Sequence, residues 1–119
     1  MQYIIKRDKY TNTRDGNSHF LNLYCSNCKQ HLALYQKDGQ GSLLRLYLDR
    51  IFAPKELSDW QFKGIEKNDI PSLKCLKCGQ HIGSPMIYEL EKRLAIRLNK
   101  GSFIKEKGDG TYPPSKKSN

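Results

Sequence analysis

Cys25-Ser26-Asn27-Cys28-Lys29-Gln30-His31 and Cys75-Leu76-Lys77-Cys78-Gly79-Gln80-His81 share the pattern Cys-x-x-Cys-x-Gln-His, and this repeat decides how the 119-residue chain folds. A CxxC pair at a tight turn aims two thiolates at one point, and two such knuckles facing each other complete the tetrahedral four-sulfur shell of structural zinc. The pairs are separated by 46 residues, whereas compact zinc ribbons leave about 15 to 20. A sheet must therefore fold between the knuckles, and the metal must clamp the tips of two hairpins. Each knuckle is expected to make the same turn into the same outgoing strand. Cys25, Cys28, Cys75 and Cys78 are the expected ligands of one structural Zn2+, and no cysteine is left over. Tetrathiolate geometry by itself also suits iron. A redox CxxC would want a helix N-terminus in a βαβ pattern, which the sequence lacks. His31 and His81 each follow a cysteine by three residues and read as strand residues near the metal, placed to donate a hydrogen bond to its ligands. His19, in a polar stretch, reads as surface.

Outward from the knuckles, turn signals cut the chain into short, strand-like pieces. Residues 11–18 are polar loop, residues 20–24 lead into the first knuckle, and residues 31–36 lead out of it toward a hairpin turn at Asp38-Gly39-Gln40-Gly41. In residues 44–51, Leu44, Leu46 and Leu48 alternate with Arg45, Tyr47 and Asp49, the pattern of one half-buried strand. Pro54 closes it, residues 60–65 offer another short strand, and Asn68-Asp69-Ile70-Pro71 marks a loop before Leu73. Beyond the second knuckle, Gly83-Ser84-Pro85 reads as a turn. Residues 86–98 carry both periods: Leu90, Leu94 and Leu98 fall at helical spacing, while Leu94, Ile96 and Leu98 alternate. Asn99-Lys100-Gly101 reads as a hairpin turn into Ser102-Phe103-Ile104, favouring strands on both sides. From Lys107 the apolar pattern ends, so residues 1–106 are expected to form a single zinc-binding β domain and residues 107–119 a disordered basic tail.

Composition narrows the function. A chain of this length makes one domain, and its 37% hydrophobic content gives a thin core. No run approaches the ~18 to 20 apolar residues of a membrane span, and the N-terminal MQYIIKRDKY has charges where a signal peptide needs an apolar stretch. The expectation is an intracellular protein, cytoplasmic or nuclear and without a membrane partner, where thiols favour metals over disulfides. The formal charge is +9, from 21 basic and 12 acidic residues, spread along the chain without a basic block. No Ser-His-Asp order or paired carboxylates stand out, and Asp38-Gly39-Gln40-Gly41 lacks the Lys and helix of a phosphate-binding loop. The leading expectation is a non-enzymatic, zinc-stabilised binding module for a protein partner. The alternative is RNA or DNA bound on a basic sheet bearing Tyr24, Tyr35, Tyr47 and Tyr88, weakly, without sequence preference and with an affinity that falls steadily as salt rises; cross-strand packing is the commoner use of such tyrosines.

Cys25-Ser26-Asn27-Cys28-Lys29-Gln30-His31-Leu32-Ala33 resembles the CxxCxxHLA start of the Yippee family. The second knuckle through Tyr88-Glu89, with Lys100-Gly101-Ser102-Phe103-Ile104, is similar to that family's CxxCxxxLGWxYE and GKFI segments, in order and rough spacing over residues 20–106. The resemblance implies a mainly β fold, the β-tent: two antiparallel sheets pinned at one end by a four-cysteine zinc site. That fold is shared with the ligand-binding domain of cereblon, the C-terminal domain of viral-RNA sensors and R-type methionine sulfoxide reductases. The chain departs from these relatives in telling places. The family Trp after the second knuckle is absent, and Trp60 is the one tryptophan, too few for a cereblon-type cage, so core packing is its expected role. The strand that carries the reductase nucleophile reads Arg97-Leu98-Asn99 here, without a cysteine.

Overall fold

The computed structural model describes residues 1–11, 18–39, 41–62 and 70–114. It is mainly β. Among the described residues are eight strands: β1 (Ser18–Cys25), β2 (His31–Asp38), β3 (Arg45–Tyr47), β4 (Ile51–Ala53), β5 (Leu73–Lys74), β6 (His81–Tyr88), β7 (Arg93–Leu98) and β8 (Phe103–Gly108), with one short helix, α1 (Lys55–Ser58). They form two antiparallel sheets, ordered β4-β2-β1-β8 and β3-β7-β6-β5. One apolar cluster draws on both: Leu21, Leu23, Ala33 and Tyr35 from the first, Leu46, Leu73, Ile82 and Ile96 from the second. No helix is long and apolar enough to cross a membrane.

β1 lacks clean alternation because both its faces are covered. Phe20 and Leu34 turn away from the main core and pack with Tyr3, Ile5, Phe52 and Tyr112. The N-terminal segment is held there by an amide pair: the Lys6 N–H donates to Gln36 Oε1 (2.7 Å), and Gln36 Nε2 donates to the Lys6 carbonyl (2.9 Å). At its end, Gln2 bridges Thr111. The expected disordered tail is thus corrected. β8 runs to Gly108, and the segment through Tyr112 is tied to the N-terminus; residues 115–119 lie outside the described residues.

Arg50, with no exposure, joins this strap to the first sheet. Its Nε donates to Asp38 Oδ2 at 2.8 Å, and its two terminal nitrogens donate to Asp8 Oδ2 and Oδ1 at 2.9 and 2.8 Å. The guanidinium hydrogen bond holds the Asp8 carboxyl well below the usual carboxylate range, with burial opposing it. A depressed value in the folded state means that stability is fully present above the unfolded carboxylate pKa, about 3.9, and is lost as pH falls toward the folded value. The stability gap between wild type and Asp8→Asn should therefore be widest at neutral pH and close progressively below about pH 4. Urea titrations across that range check it; a gap that stays constant would contradict the pairing.

Several local expectations are corrected by the way the chain changes sheets. Residues 44–51 are not one strand. Leu44 is 62% exposed and Tyr47 is buried; β3 is followed by a 3-10 turn at Leu48–Arg50, and β4 joins the other sheet. The alternation breaks because the turn must bury Arg50 against two carboxylates. Trp60 lies in a 3-10 turn, Asp59–Phe62, rather than a strand, and residues 63–65 fall outside the described residues. Gly83-Ser84-Pro85 is inside β6. β5 pairs only with Gly83 and His81, so Pro85, which has no N–H, meets no ladder on that side. Gly83 is required where it stands, since a Cβ would lie 2.5 Å from both the Arg97 carbonyl oxygen and Ile96 Cγ2. In residues 86–98 the strand period wins, and Leu90 is exposed at the turn between β6 and β7. The segments after Asp38 and after Leu98 are crossings between sheets, not hairpins.

Candidate metal centre

The two knuckles make the same turn, as the repeat requires. The Cys25 N–H donates to the Gln30 carbonyl (2.9 Å) and the Lys29 N–H to the Cys25 carbonyl (2.9 Å). In the second, the Cys75 N–H donates to the Gln80 carbonyl (2.9 Å) and the Gly79 N–H to the Cys75 carbonyl (2.8 Å). Lys29 and Gly79 hold equivalent left-handed positions, at φ 69° and 81°. The first turn joins β1 to β2 and the second joins β5 to β6, so each knuckle is the tip of an antiparallel pair.

These tips bring the four sulfurs together. Cys25 Sγ lies 3.6 Å from Cys78 Sγ and Cys28 Sγ 3.5 Å from Cys75 Sγ, and all four lie within 4.8 Å of one another. A metal–sulfur bond of about 2.3 Å sets the edge of a regular tetrahedron near 3.8 Å. The observed separations match that shell, and all four cysteines are free of disulfides. Cys25 and Cys75 are buried, Cys28 is half-buried and Cys78 is exposed. The cluster can hold one metal ion, and the ion would then cross-link the two sheets.

Electrostatics favours a cation here. The Asn27 side chain and the Gln80 backbone N–H pull the Cys78 thiol down to about 6. At Cys28 the Gln30 N–H also pulls down, but burial and the three neighbouring sulfurs outweigh it and push the thiol up to about 11. Knuckle N–H groups thus favour thiolates while the sulfurs oppose one another's ionisation. A divalent cation removes that opposition.

One residue of the site was not foreseen. Gln80 Nε2 reaches across from the second knuckle to Cys25 Sγ (3.7 Å), Ser26 Oγ (3.1 Å) and the Ser102 carbonyl (2.8 Å), tying the two tips together. Its signal was the glutamine recurring at the same place in both knuckles. The histidines look elsewhere: His31 Nε2 bonds Asn22 Oδ1 at 2.8 Å, and Asn99 Nδ2 lies 2.7 Å from His81 Nδ1, with Ser84 Oγ 3.3 Å from Nε2. Their hydrogen bonds do not go to sulfur, which corrects the ligand-orienting role expected of them. His19 is a half-buried β1 residue rather than loop. Nor do the four tyrosines share a platform. Tyr35 is buried, its hydroxyl accepting the Tyr47 N–H at 2.9 Å, and Tyr24 lies on the other sheet from Tyr47 and Tyr88.

Beside the knuckles opens a mostly apolar cavity of about 490 Å³, lined among others by His31, Leu57, Trp60, Leu73, Leu76 and Tyr112. Trp60 packs in the core, as expected, and also forms part of this wall. Leu76, between the two cysteines of its knuckle, is 95% exposed at the rim. Comparison with protein-family models, curated proteins and solved structures finds no match for this chain.

Proposed function

We propose that the chain is a non-enzymatic binding module built on one structural zinc, and that its partner is a protein. The observation that carries the reading is the four-sulfur cluster at the tips of two antiparallel pairs. Four cysteine ligands fill a tetrahedral shell, leaving no position for water or substrate, and no fifth cysteine exists to act as a nucleophile. Zinc is the assignment because it prefers closed tetrahedral thiolate sites and brings no redox chemistry to a role that needs none. The similarity of both knuckles to those of the Yippee family supports the same metal and a non-catalytic role.

The protein partner is read from the cavity beside the metal. Its volume lies in the roughly 300–1,000 Å³ range of binding clefts, and its walls are mostly aliphatic and aromatic, with Glu56 and Lys74 among the polar residues that line it. Such a cleft accepts a buried apolar anchor, the kind of side chain that dominates interface energies. Leu76 stands at its rim with its side chain unburied, so it can be changed without disturbing the core. Pull-down from native extract should capture a protein that stays bound after nuclease treatment and is lost with Leu76→Glu, whose thermal unfolding should match wild type. Capture that vanishes with nuclease, or that Leu76→Glu leaves intact, would overturn the reading.

A further inference from the structure

The face of the second sheet turned away from the core carries a ladder of arginines and tyrosines. Cross-strand partners share a face. The register puts Arg45, Arg97 and Ser84 in one row, Tyr47, Ala95 and Met86 in the next, and Arg93 and Tyr88 in a third. Arg93 is buried and already paired: its guanidinium carbon sits 3.9 Å from the ring centroids of both Tyr10 and Tyr47, and its terminal nitrogens pair with Asp49 at 2.7 Å and Glu91 at 2.8 Å, while its buried Nε has no hydrogen-bond partner among the described residues.

Arg45 and Arg97 are different. They stand directly opposite each other on β3 and β7, an arrangement of like charges that costs stability. Among the described residues neither has a carboxylate partner, and Asp49 and Glu91 pair with Arg93 instead. Arg45 is fixed in place, its guanidinium 4.2 Å from the Tyr88 ring centroid and its Nε donating to the Tyr47 hydroxyl at 3.0 Å. Arg97 is exposed, and Tyr88 and Met86 beside them are half-exposed. Two uncompensated, adjacent cations, one of them held in place, beside a half-exposed aromatic ring form a binding surface for an anion.

We infer that this face binds single-stranded nucleic acid, with Arg45 and Arg97 on the phosphates and an unpaired base stacking at Tyr88 and Arg45. The charge of the chain, +9, draws a polyanion toward it. The nearby ring and guanidinium plane fit a base, which a phosphorylated peptide lacks. The inference is independent of the cavity beside the metal, which lies on other elements.

Anisotropy titrations of a labelled oligouridylate and oligothymidylate against the zinc-loaded chain test it. At low salt, Arg45→Gln/Arg97→Gln should weaken binding about tenfold, and the salt dependence of log K should become shallower by about 1.4, two phosphates at about 0.7 each. Arg97→Gln alone, exposed and without a carboxylate partner among the described residues, should weaken binding about threefold, and Tyr88→Leu should weaken it without changing the salt slope. Lys100→Gln/Lys105→Gln, an equal loss of charge elsewhere, should have a smaller effect on both. The proposal is overturned if this control matches the arginine pair, if the arginine variants bind as wild type, or if a phosphoserine peptide displaces the oligomer as effectively as unlabelled oligomer of equal phosphate content.

Discussion

Cys75→Ser will leave the chain unfolded at ordinary temperature, and a strong chelator will do the same to the wild type. The magnitude follows from two comparisons. A four-cysteine zinc contributes on the order of 10–16 kcal/mol of apparent binding energy that is also folding energy, while a domain of this size holds roughly 5–15 kcal/mol in total. Little else joins the knuckles. β5, the incoming arm of the second knuckle, is two residues long, and among the described residues the side chains that bridge the two tips are Gln80, to Cys25 and Ser26, and Asn27, to Cys78. Without metal, the sulfurs, 3.5 to 3.6 Å apart, oppose one another's ionisation and hold the Cys28 thiol protonated, so the cluster is held only by weak sulfur–sulfur hydrogen bonds. Circular dichroism with thermal scans checks it: loss of the cooperative transition is expected, and an unchanged midpoint in the Cys75→Ser protein would contradict the role given to the metal.

Arg50→Met should cost about 3–5 kcal/mol, the penalty for breaking a buried ion pair by removing one partner. Arg50 is wholly buried, and the Asp38 side chain is 4% exposed. Asp38 also accepts hydrogen bonds from Ser18 and Gln36 at 2.6 and 2.8 Å, so it cannot turn out to solvent without dismantling that network. Removing the cation leaves a buried carboxylate facing a neutral thioether. Adding Asp38→Asn and Asp8→Asn removes both stranded charges, so the triple variant should recover much of the loss. Urea unfolding of wild type, Arg50→Met and the triple variant measures it; a single-variant loss under about 1 kcal/mol would show that Arg50 is replaceable.

How much of this was legible depended on range. The metal site was readable because each ligand pair is local: two cysteines three positions apart suffice to fix a turn, and the repeated Gln-His after each pair marks that turn as the same. β7 was readable because Leu94, Ile96 and Leu98 alternate, and β1 and β2 because each is a short apolar run leading into or out of a knuckle. What failed was set by distant partners. The break after Tyr47 exists because Arg50 must meet Asp38 and Asp8, and nothing in residues 44–51 shows those carboxylates. Pro85 reads as a turn unless the two-residue length of β5 is known. Residues 109–112 lack an apolar period, yet they are ordered by the N-terminal strand segment beside them, where Tyr3 N–H donates to the Gly110 carbonyl at 2.8 Å. The crossing after Leu98 carries hairpin-like residues because its tight turn, closed by the Ser102 N–H on the Asn99 carbonyl, needs the positive φ of Gly101 whichever sheet receives the next strand.

Metal content is the most direct check on the centre from which everything else is argued. Native mass spectrometry of the chain purified without added metal, with elemental analysis of the same sample, should give one zinc per chain and a mass showing that cysteine protons have been displaced. A chain that folds cooperatively with no bound metal, or that carries stoichiometric iron in place of zinc, would contradict it.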